Sequence, residues 1–452
     1  MTVDSRAAIV GTGFRAQLYT EGLARRDHVE VAALCDPNPV RMAHHNTLLA
    51  AAGRAPARTY RPDDFARMLR AERVDTVVVT TVDALHDTYI VAALRAGCRV
   101  VTEKPMTTDS QRCRGILDAV AETGGELSVT FNYRFNPVHE LVHRQLHSGV
   151  IGDVLSVHFE WLLDVRHGAD YFRRWHRERE RSGGLMVHKS GHHFDLVNWW
   201  LGARPQRVFG MGRLAFYGRE NGERSGLRRD YERAHGSPAA ADDPFALHLA
   251  DNETLRALYL DAEKEDGYLR DRNVFGDGIT VEDDMAVLVR YSTGASMSYH
   301  LTAYSPWEGY RVMFNGTGGR LELEVEESAW QEPRTKLTSA KGAVHGDTAQ
   351  ENAGGARILV RPLWKPPYEV PIPDFDHSGH GGGDIRMLRA LFDDGGNDNG
   401  DGNGGGNGED GKDGVPLATA VDGALALGIG LAANESFAHG AAVDVEKLVG
   451  IA

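Results

Sequence analysis

Short apolar runs alternate with amphipathic stretches over the first 131 residues. The apolar runs lie at 7–10, 29–36, 76–80, 98–103 and 126–131. Between them, apolar residues recur at helical spacing near 14–26, 38–52, 62–71, 84–96 and 108–123. The run at 76–80 is β-branched throughout, which is typical of a strand that a parallel sheet buries on both faces. This βαβ rhythm predicts an α/β protein that opens with a doubly wound parallel sheet over residues 1–131.

The pattern changes after residue 131. A helical stretch at 135–148 is followed by longer alternating runs at 154–163, 285–291 and 296–304. Polar segments, rather than regular helices, separate these runs. We therefore expect residues 132–452 to form an α+β domain on an open, mostly antiparallel sheet.

Two segments interrupt the pattern of this second domain. Residues 213–280 are charged and irregular, and we interpret them as an inserted helical or loop excursion. Residues 393–414 are almost only Gly, Asp and Asn, so they cannot bury enough apolar surface to offset their ordering entropy. The sequence predicts a disordered surface loop there. A calcium loop is disfavoured, because the fixed spacing and the terminal Glu of an EF-hand are missing.

Charge and composition narrow the class of protein. The 452 residues include 50 Lys and Arg against 64 Asp and Glu, a formal net charge of -14 that would repel a nucleic acid. No apolar stretch is long enough to span a bilayer, and the N-terminus lacks the features of a signal peptide. The three cysteines are scattered, which suits a reducing compartment. We expect a cytoplasmic protein with no nucleic-acid or membrane partner.

A glycine-rich turn, GTGFRA, follows the first predicted strand directly. Gly11 permits the tight turn, Gly13 lets the backbone approach a pyrophosphate, and the small Ala16 lets the next helix pack on the sheet. Asp36 ends the second strand, where a carboxylate accepts hydrogen bonds from ribose hydroxyls and repels a 2′-phosphate. This favours NAD over NADP. Arg41 would soften that preference, although a solvated surface arginine is an equally good interpretation.

Further segments carry a resemblance to a known family. They are TTVDALH at 80–86, AGCRVVTEKP at 96–105, NYRFNP at 132–137, SGGLMVHKSGHHFDLVNWWLG at 182–202 and FNGTGGRLEL at 314–323. With the glycine turn, they make the chain resemble the glucose–fructose oxidoreductase/inositol dehydrogenase family (Gfo/Idh/MocA). The resemblance implies an NAD(P)-binding Rossmann domain and a second domain whose open sheet carries substrate and often mediates homo-oligomers. It also implies hydride transfer between the nicotinamide and a hydroxyl carbon of a sugar, polyol or sugar derivative.

The same resemblance suggests the catalytic residues. Lys104 of the EKP motif is expected to contact substrate and nicotinamide, and His192 stands where the family has its catalytic histidine. His188 replaces the usual Asp, and the spacing of four places it on the same helix face as His192. A histidine titrates near neutrality, so it can take the hydroxyl proton as the hydride leaves. Asp195 is the candidate to orient one of these histidines.

The family motifs indicate further contacts. The expected cofactor contacts are Gly11, Gly13, Phe14, Arg15, Ala16, Asp36, Thr80, His86, Glu103, Lys104 and Asn132. The expected substrate contacts are Lys104, Tyr133, Arg134, Arg174, Trp175, His188 and His192. For the weaker candidates, packing or solvent contact is an equally good interpretation; they are Tyr171, His176, His380 and Asp384, the last as a helix cap.

Three other interpretations of these residues compete with the dehydrogenase. His188 and His192 have a zinc-like spacing, but HKSGH lacks the Glu of HExxH and no cysteine cluster supports it, so we expect no metal. An NAD-dependent, redox-assisted glycoside hydrolase of the same fold is the alternative. It would oxidise a sugar carbon, eliminate the aglycone, add water and reduce again, and the additional His188 favours it. A dinucleotide sensor without catalysis is disfavoured, since Lys104 and His192 are present.

Overall fold

Two β-sheets organise the chain in the computed structural model. The residues that the structure describes are 5–331, 355–373, 382–393 and 414–451. Almost all of the predicted loop at 393–414 lies outside the described residues, and so does His380.

The first sheet has six strands, all parallel, in the order β3-β2-β1-β4-β5-β6. Its strands are β1 (Ser5–Val10), β2 (Val29–Cys35), β3 (Arg58–Tyr60), β4 (Thr76–Val79), β5 (Arg99–Thr102) and β6 (Leu127–Val129). The connecting helices are Ala16–Ala24, Pro39–Ala51, Phe65–Ala71, His86–Arg95 and Ser110–Thr123. This order is the doubly wound one, so the predicted fold class is confirmed. The sequence did not indicate β3, which is three residues long and largely exposed.

The second sheet is mixed and has nine strands, in the order β14-β13-β12-β11-β7-β10-β9-β8-β15. They are β7 (Val154–Asp164), β8 (Pro205–Arg213), β9 (Asp284–Tyr291), β10 (Ser296–Ser305), β11 (Glu308–Gly316), β12 (Gly319–Ser328), β13 (Ala356–Pro362), β14 (Tyr368–Glu369) and β15 (Val443–Asp444). Among the described strands, only β7 and β10 pair in parallel; the other pairs are antiparallel. The expected mostly antiparallel sheet is therefore confirmed.

Helices cover one face of this sheet. They are Pro137–His147, Val165–Arg173, Arg179–Ser182, Leu185–His188, Gly191–Leu201, Ala420–His439 and Val445–Val449. The helix Gly383–Phe392 packs instead against Ala16–Ala24 of the first domain. Ala420–His439 is buried along most of its length, and its Gly430 lies so close to Leu185–His188 that a Cβ there would be 2.5 Å from the Met186 carbonyl oxygen. This long helix therefore fixes the position of the histidine segment from behind.

The excursion between β8 and β9 contains only short helical pieces. These are Arg219–Ser225, Pro238–Ala240, Leu249–Asp251, Glu253–Leu255, the π-turn Arg256–Leu260 and Glu263–Asp266. In the described parts of the chain, no helix combines the length and apolarity that a bilayer crossing needs.

Candidate active site

The glycine turn after β1 has the geometry of a pyrophosphate site. Gly11 has a φ of +84°, and a Cβ on it would lie 2.7 Å from the backbone of Thr81, so only glycine fits. A Cβ on Gly13 would meet nothing within 4 Å, which leaves open space above the turn. Helix Ala16–Ala24 begins directly behind it, and helix N-termini favour phosphates. The turn therefore fits the dinucleotide that the sequence predicts.

Asp36 follows β2 and supports this turn. Its carboxylate accepts hydrogen bonds from the backbone amides of Thr12 (2.7 Å) and Asn38 (2.7 Å). Burial raises the pKa of Asp36, while these two amides act in the opposite direction. A carboxylate has about four lone-pair sites, so it can still accept ribose hydroxyls. The ribose role stays a prediction.

The excursion packs against the same edge of the parallel sheet. Arg41 pairs with Asp266 at 2.7 Å and donates through Nε to the Leu258 carbonyl at 3.0 Å. The backbone amide of Phe14, in the glycine turn, donates to the Tyr259 hydroxyl at 3.3 Å. The charge of Arg41 is thus already paired with the carboxylate of Asp266. Sequence reasoning missed these contacts, because their partners are more than two hundred residues apart in the chain.

Several predicted cofactor residues form a network around Arg15. Its guanidinium lies 2.6 Å from Glu103 and 3.1 Å from Asp384. The Asn132 side-chain amide donates to the same Asp384 oxygen at 2.8 Å. Asp384 lies in the first turn of Gly383–Phe392, where Gly382 is the N-cap, so the expected cap role was wrong. The network connects the glycine turn to the EKP loop.

Lys104 lies beside a histidine of the second domain. Its Nζ donates to the His188 carbonyl at 3.0 Å and lies 3.5 Å from His188 Nε2. Burial lowers the pKa of Lys104 to about 8, although the charges of Glu103 and Asp83 oppose this shift. The Lys104–Pro105 peptide bond is cis. Lys104 is therefore a partly buried amine whose proton is held weakly.

His86 holds the EKP loop in place, and Thr80 holds the glycine turn. His86 Nδ1 lies 2.7 Å from the Pro105 carbonyl, and its Nε2 lies 3.1 Å from the Thr81 carbonyl. Thr80 Oγ1 donates to the Gly11 carbonyl at 2.6 Å. Both predicted cofactor residues thus brace the loops that surround the dinucleotide site.

A carboxylate fixes the orientation of His188. Asp83 begins the single turn after β4, and its Oδ2 lies 2.5 Å from His188 Nδ1. Burial raises the pKa of Asp83 well above its usual range, and the charges of Lys104 and Arg174 oppose this shift. With these two cations beside it Asp83 is ionised and accepts, so the proton of the imidazole belongs on Nδ1 and the lone pair on Nε2. Burial lowers the pKa of His188 well below its usual range, and the charge of Lys104 lowers it further. His188 is therefore a neutral base whose Nε2 lies beside Lys104.

A second imidazole completes this cluster. His176 Nε2 lies 3.0 Å from His188 Nε2, so His176 is the donor if His188 presents its lone pair. Ligand atoms of Asp83, His176 and His188 lie within 4.8 Å of one another, close enough for a metal ion. The amine of Lys104, 3.5 Å from His188 Nε2, opposes a divalent cation there, and Asp83 already binds Nδ1. These four side chains are therefore better placed to share protons through hydrogen bonds than to bind a metal ion.

The predicted arrangement of His188 and His192 was wrong. His188 ends the helix Leu185–His188 and His192 lies in the next helix, Gly191–Leu201, so the two do not share one helix face. The His192 ring stacks on Tyr133 with centroids 4.5 Å apart. The break after His188 turns it toward Asp83 and Lys104.

Asp195 orients neither histidine, contrary to expectation. Its two oxygens accept from Arg134 at 2.6 and 2.7 Å, and both side chains are buried. A bidentate pair of this kind uses two parallel N–H donors along one edge of the planar guanidinium. The predicted substrate contact through Arg134 thus gains no support from the geometry.

Aromatic side chains surround the histidine cluster. Trp175 stacks on His176 with ring centroids 3.6 Å apart, and Tyr171 meets His188 edge-on at 5.6 Å. Behind them, His167 lies 3.3 Å from the Tyr171 hydroxyl and 2.7 Å from Glu308. Trp175 and Tyr171, both named from the sequence, therefore form walls of the site.

Sequence reasoning missed Asp83, His167 and Glu308. Asp83 had a usable signal, since it lies in TTVDALH just beyond the carboxyl end of β4, where ligands sit in open parallel sheets. His167 and Glu308 meet across 141 residues of chain, and no motif marks either one.

Comparison with known proteins agrees with this geometry. Residues 5–131 match the model of the oxidoreductase family, NAD-binding Rossmann fold, and residues 143–359 match the C-terminal alpha/beta domain of the same family. The chain belongs to this family. It is a Gfo/Idh/MocA protein, and its N-terminal sheet is an NAD-binding Rossmann fold.

Three relatives illustrate the family. YteT of Bacillus subtilis (strain 168), named as an oxidoreductase, is 35% identical over 382 residues, which cover 81% of this chain and 82% of YteT. Inositol 2-dehydrogenase of Rhizobium meliloti (strain 1021) is 33% identical over 138 residues, 30% of this chain and 40% of the enzyme. The WlbA dehydrogenase of Bordetella pertussis, solved with NADH and UDP-GlcNAcA, has a TM-score of 0.61 at 18% identity and covers 98% of both chains.

Proposed function

We propose that this protein is an NAD-dependent dehydrogenase in which Lys104 and His188 act at the reacting hydroxyl of a sugar, polyol or sugar derivative. Bound nicotinamide supplies the hydride acceptor. The hydroxyl proton passes to Nε2 of His188, and the carbon that loses hydride becomes a carbonyl. Protonated Lys104 donates a hydrogen bond to the same oxygen and so holds it in place. His192 is retained as a substrate contact next to Tyr133.

One observation carries this assignment. Asp83, from the Rossmann domain, fixes the tautomer of His188, from the second domain, and Lys104 Nζ lies 3.5 Å from Nε2 of that histidine. An oriented base next to a donor is what removal of a hydroxyl proton requires.

Substrate oxidation tests the proposal. Purified protein should reduce NAD when it is given a panel of inositols, aldoses and sugar acids, and NADH absorbance reports the rate. His188→Asn keeps a polar side chain but cannot act as a base, so it should lower the rate by about 10²–10⁴-fold while NADH fluorescence still shows binding. Full activity in this variant would contradict the assignment.

The cofactor is expected to be NAD rather than NADP. Asp36 stands at the ribose end of the site, and Arg41, the nearby cation, is paired with Asp266. A 2′-phosphate would meet two carboxylates and a guanidinium that is already neutralised. This supports a preference for the unphosphorylated dinucleotide.

His176 keeps the redox-assisted glycoside hydrolase as a second candidate. Elimination and water addition need an acid and base beyond the pair that serves oxidation, and His176 Nε2 lies 3.0 Å from His188. An aryl glycoside incubated with catalytic NAD distinguishes the two. A hydrolase releases many equivalents of phenol per NAD without accumulating NADH, whereas a dehydrogenase forms NADH in proportion to product.

We further infer a cytoplasmic homo-oligomer. The three cysteines are buried and unpaired, which suits a reducing compartment. On the outer face of the second sheet, Leu155, Met211 and Leu288 are exposed. Light scattering should give a multiple of the chain mass, and Met211→Glu with Leu288→Glu should reduce it.

A further inference from the structure

Three arginines share one carboxylate next to the histidine cluster. Asp170 is fully buried, and its oxygens lie 2.6 Å from Arg270, 2.9 Å from Arg174 Nε and 3.8 Å from Arg173. Guanidinium groups stay charged at all physiological pH values. This group of four side chains, which we call the arginine cluster, therefore carries two positive charges in excess.

Within the described residues, the excess charge is only partly compensated, by the Tyr259 ring under Arg270, 5.6 Å from its guanidinium, and by the charge of Asp83 near Arg174. Arg173 and Arg270 are both 2% exposed. Arg270 Nε and one of its terminal nitrogens are buried and have no hydrogen-bond partner in the described part of the chain. Buried charges without partners are costly, and proteins normally pair them. The net positive charge therefore favours an anion at the end of the arginine cluster that solvent can reach.

Arg174 connects the arginine cluster with the reacting groups. Its guanidinium lies over the Tyr171 ring, 5.3 Å from the centroid, and the same ring meets His188 edge-on at 5.6 Å. Its side chain is 18% exposed, whereas those of its two neighbours in the cluster are almost fully enclosed. Its Nε forms an ion pair with Asp170 without hydrogen-bond geometry, and no described residue accepts a hydrogen bond from its two terminal nitrogens. The accessible end of the arginine cluster is therefore a guanidinium with two free donors.

We propose that the substrate carries an anionic group, a carboxylate or a phosphate ester, which Arg174 binds while Lys104 and His188 act on a hydroxyl of the same molecule. This inference rests on the proposed function and narrows its substrate class to acidic sugars. A guanidinium presents parallel N–H donors that match two oxygens of either anion. The adjacent positive charges of Arg173 and Arg270 strengthen the attraction.

A matched set of probes tests it. Glucose, glucuronate and glucose 6-phosphate share one ring and differ in the group at the last carbon, and each is titrated into the protein–NADH complex while NADH fluorescence is followed. We expect at least one of the acidic probes to bind tenfold or more tightly than glucose. The stronger of the two identifies the anion as carboxylate or phosphate ester.

Variants assign the effect to Arg174. Arg174→Gln should remove the preference for the acidic probe, and Arg174→Lys, which keeps the charge but not the two donors, should retain part of it. Arg256→Gln is the control, because it removes an equal charge from an arginine of the excursion that is 60% exposed. It should leave the preference unchanged.

The remaining outcomes separate the two proposals. Equal or undetectable binding of all three probes, or a preference that survives Arg174→Gln, overturns the inference while the dehydrogenase assignment stands. If Arg174→Gln instead weakens NADH binding and does not change the affinity of any of the three probes, the arginine cluster binds the dinucleotide. The inference is then also wrong. Failure of the wild-type protein to bind NADH would reject the proposed function itself.

Discussion

Asp83 Oδ2 lies 2.5 Å from His188 Nδ1, and this contact joins the loop after β4 to the helix Leu185–His188 of the second domain. The two residues are 105 positions apart in the chain. The contact fixes which nitrogen of His188 can accept a proton, in the way that a buried carboxylate orients the histidine of a hydrolase triad. An Asp of the first domain and a His of the second thus form one orienting pair.

Replacement of Asp83 tests this orienting role. Asp83→Asn keeps the volume, but its amide can donate to Nδ1 and so favours the tautomer with the proton on Nε2. Turnover should fall by about 10²–10⁴-fold, the range for a positioned acid–base group, while NADH affinity stays within a factor of three or so. Asp87→Asn, an acid four positions along the same segment, serves as the control. Unchanged turnover in Asp83→Asn would remove Asp83 from the site.

The contributions of the two histidines can be compared directly. Lys104→Met and His188→Asn should each lower turnover by about 10²–10⁴-fold, and the double variant should be little worse than the poorer single one, because both groups act at one atom. His192→Asn should mainly raise KM, since its ring stacks on Tyr133 rather than on Lys104. Steady-state kinetics of the four variants decides the question. If His192→Asn loses turnover and His188→Asn does not, the base is His192.

The pH profile should report Lys104. Its pKa lies at about 8, so the amine is protonated below that pH and loses its proton as the pH rises through it. Because the proposed role needs the charged donor, kcat/KM should decline about tenfold per pH unit above 8. Lys104→Arg stays charged, so its profile should lack this alkaline decline even if its overall rate is low. A decline that persists in Lys104→Arg belongs to another group.

Much of the fold was predictable from local patterns. Strands such as Thr76–Val79 are β-branched and buried throughout, whereas buried and more exposed residues alternate along β9 and β10. These two patterns distinguish the strands of the first sheet from those of the second. The helix Ala420–His439 was missed, because it is buried all round and built from Ala, Gly and Leu, without a polar face to give a helical period. β3 was missed because three exposed residues carry no pattern.

The site was predictable only where one motif holds all the necessary residues. Gly11, Gly13 and Lys104 lie in compact motifs whose local structure fixes their place. The carboxylate that pairs with His188 could not be predicted, because Asp195 is nearer to it in sequence whereas Asp83 is nearer in space. Two residues that break the helix after His188 were enough to change which carboxylate it meets. Contacts between domains depend on packing that no single segment encodes.

Cofactor preference should depend on a residue of the excursion. Asp266→Ala frees Arg41, which can then bind a 2′-phosphate, so the preference for NADH over NADPH should shrink by about tenfold, or roughly 1.4 kcal/mol. Adding Arg41→Ala should reverse the gain, because the effect needs the released guanidinium. Dissociation constants from NADH and NADPH fluorescence measure both. A gain in NADPH affinity that survives Arg41→Ala would show that Asp266 acts by charge alone.

Buried neutral histidines should make the protein sensitive to acid. His139 is 1% exposed, its Nδ1 lies 2.8 Å from the Tyr133 carbonyl, and its Nε2 lies 2.6 Å from the Tyr310 hydroxyl. Burial lowers its pKa to about 4. His45, held between Thr20 and the Thr12 carbonyl, is lowered to about 4 by the same cause. Both stay neutral in the folded protein at pH values where an unfolded histidine is charged.

The sign of the effect follows from proton binding. Between pH 6.5 and 4 the unfolded chain binds a proton at each site that the folded chain does not, so the free energy of unfolding falls as the pH falls. Each histidine should account for about 3 kcal/mol over that interval. Urea unfolding at several pH values gives the slope of the unfolding free energy against pH, which counts the protons taken up on unfolding. This number should fall by about one in His139→Gln and by about two when His45→Gln is added. Gln keeps hydrogen-bonding groups at the site but does not titrate, so a slope that these variants leave unchanged would mean that other groups cause the acid sensitivity.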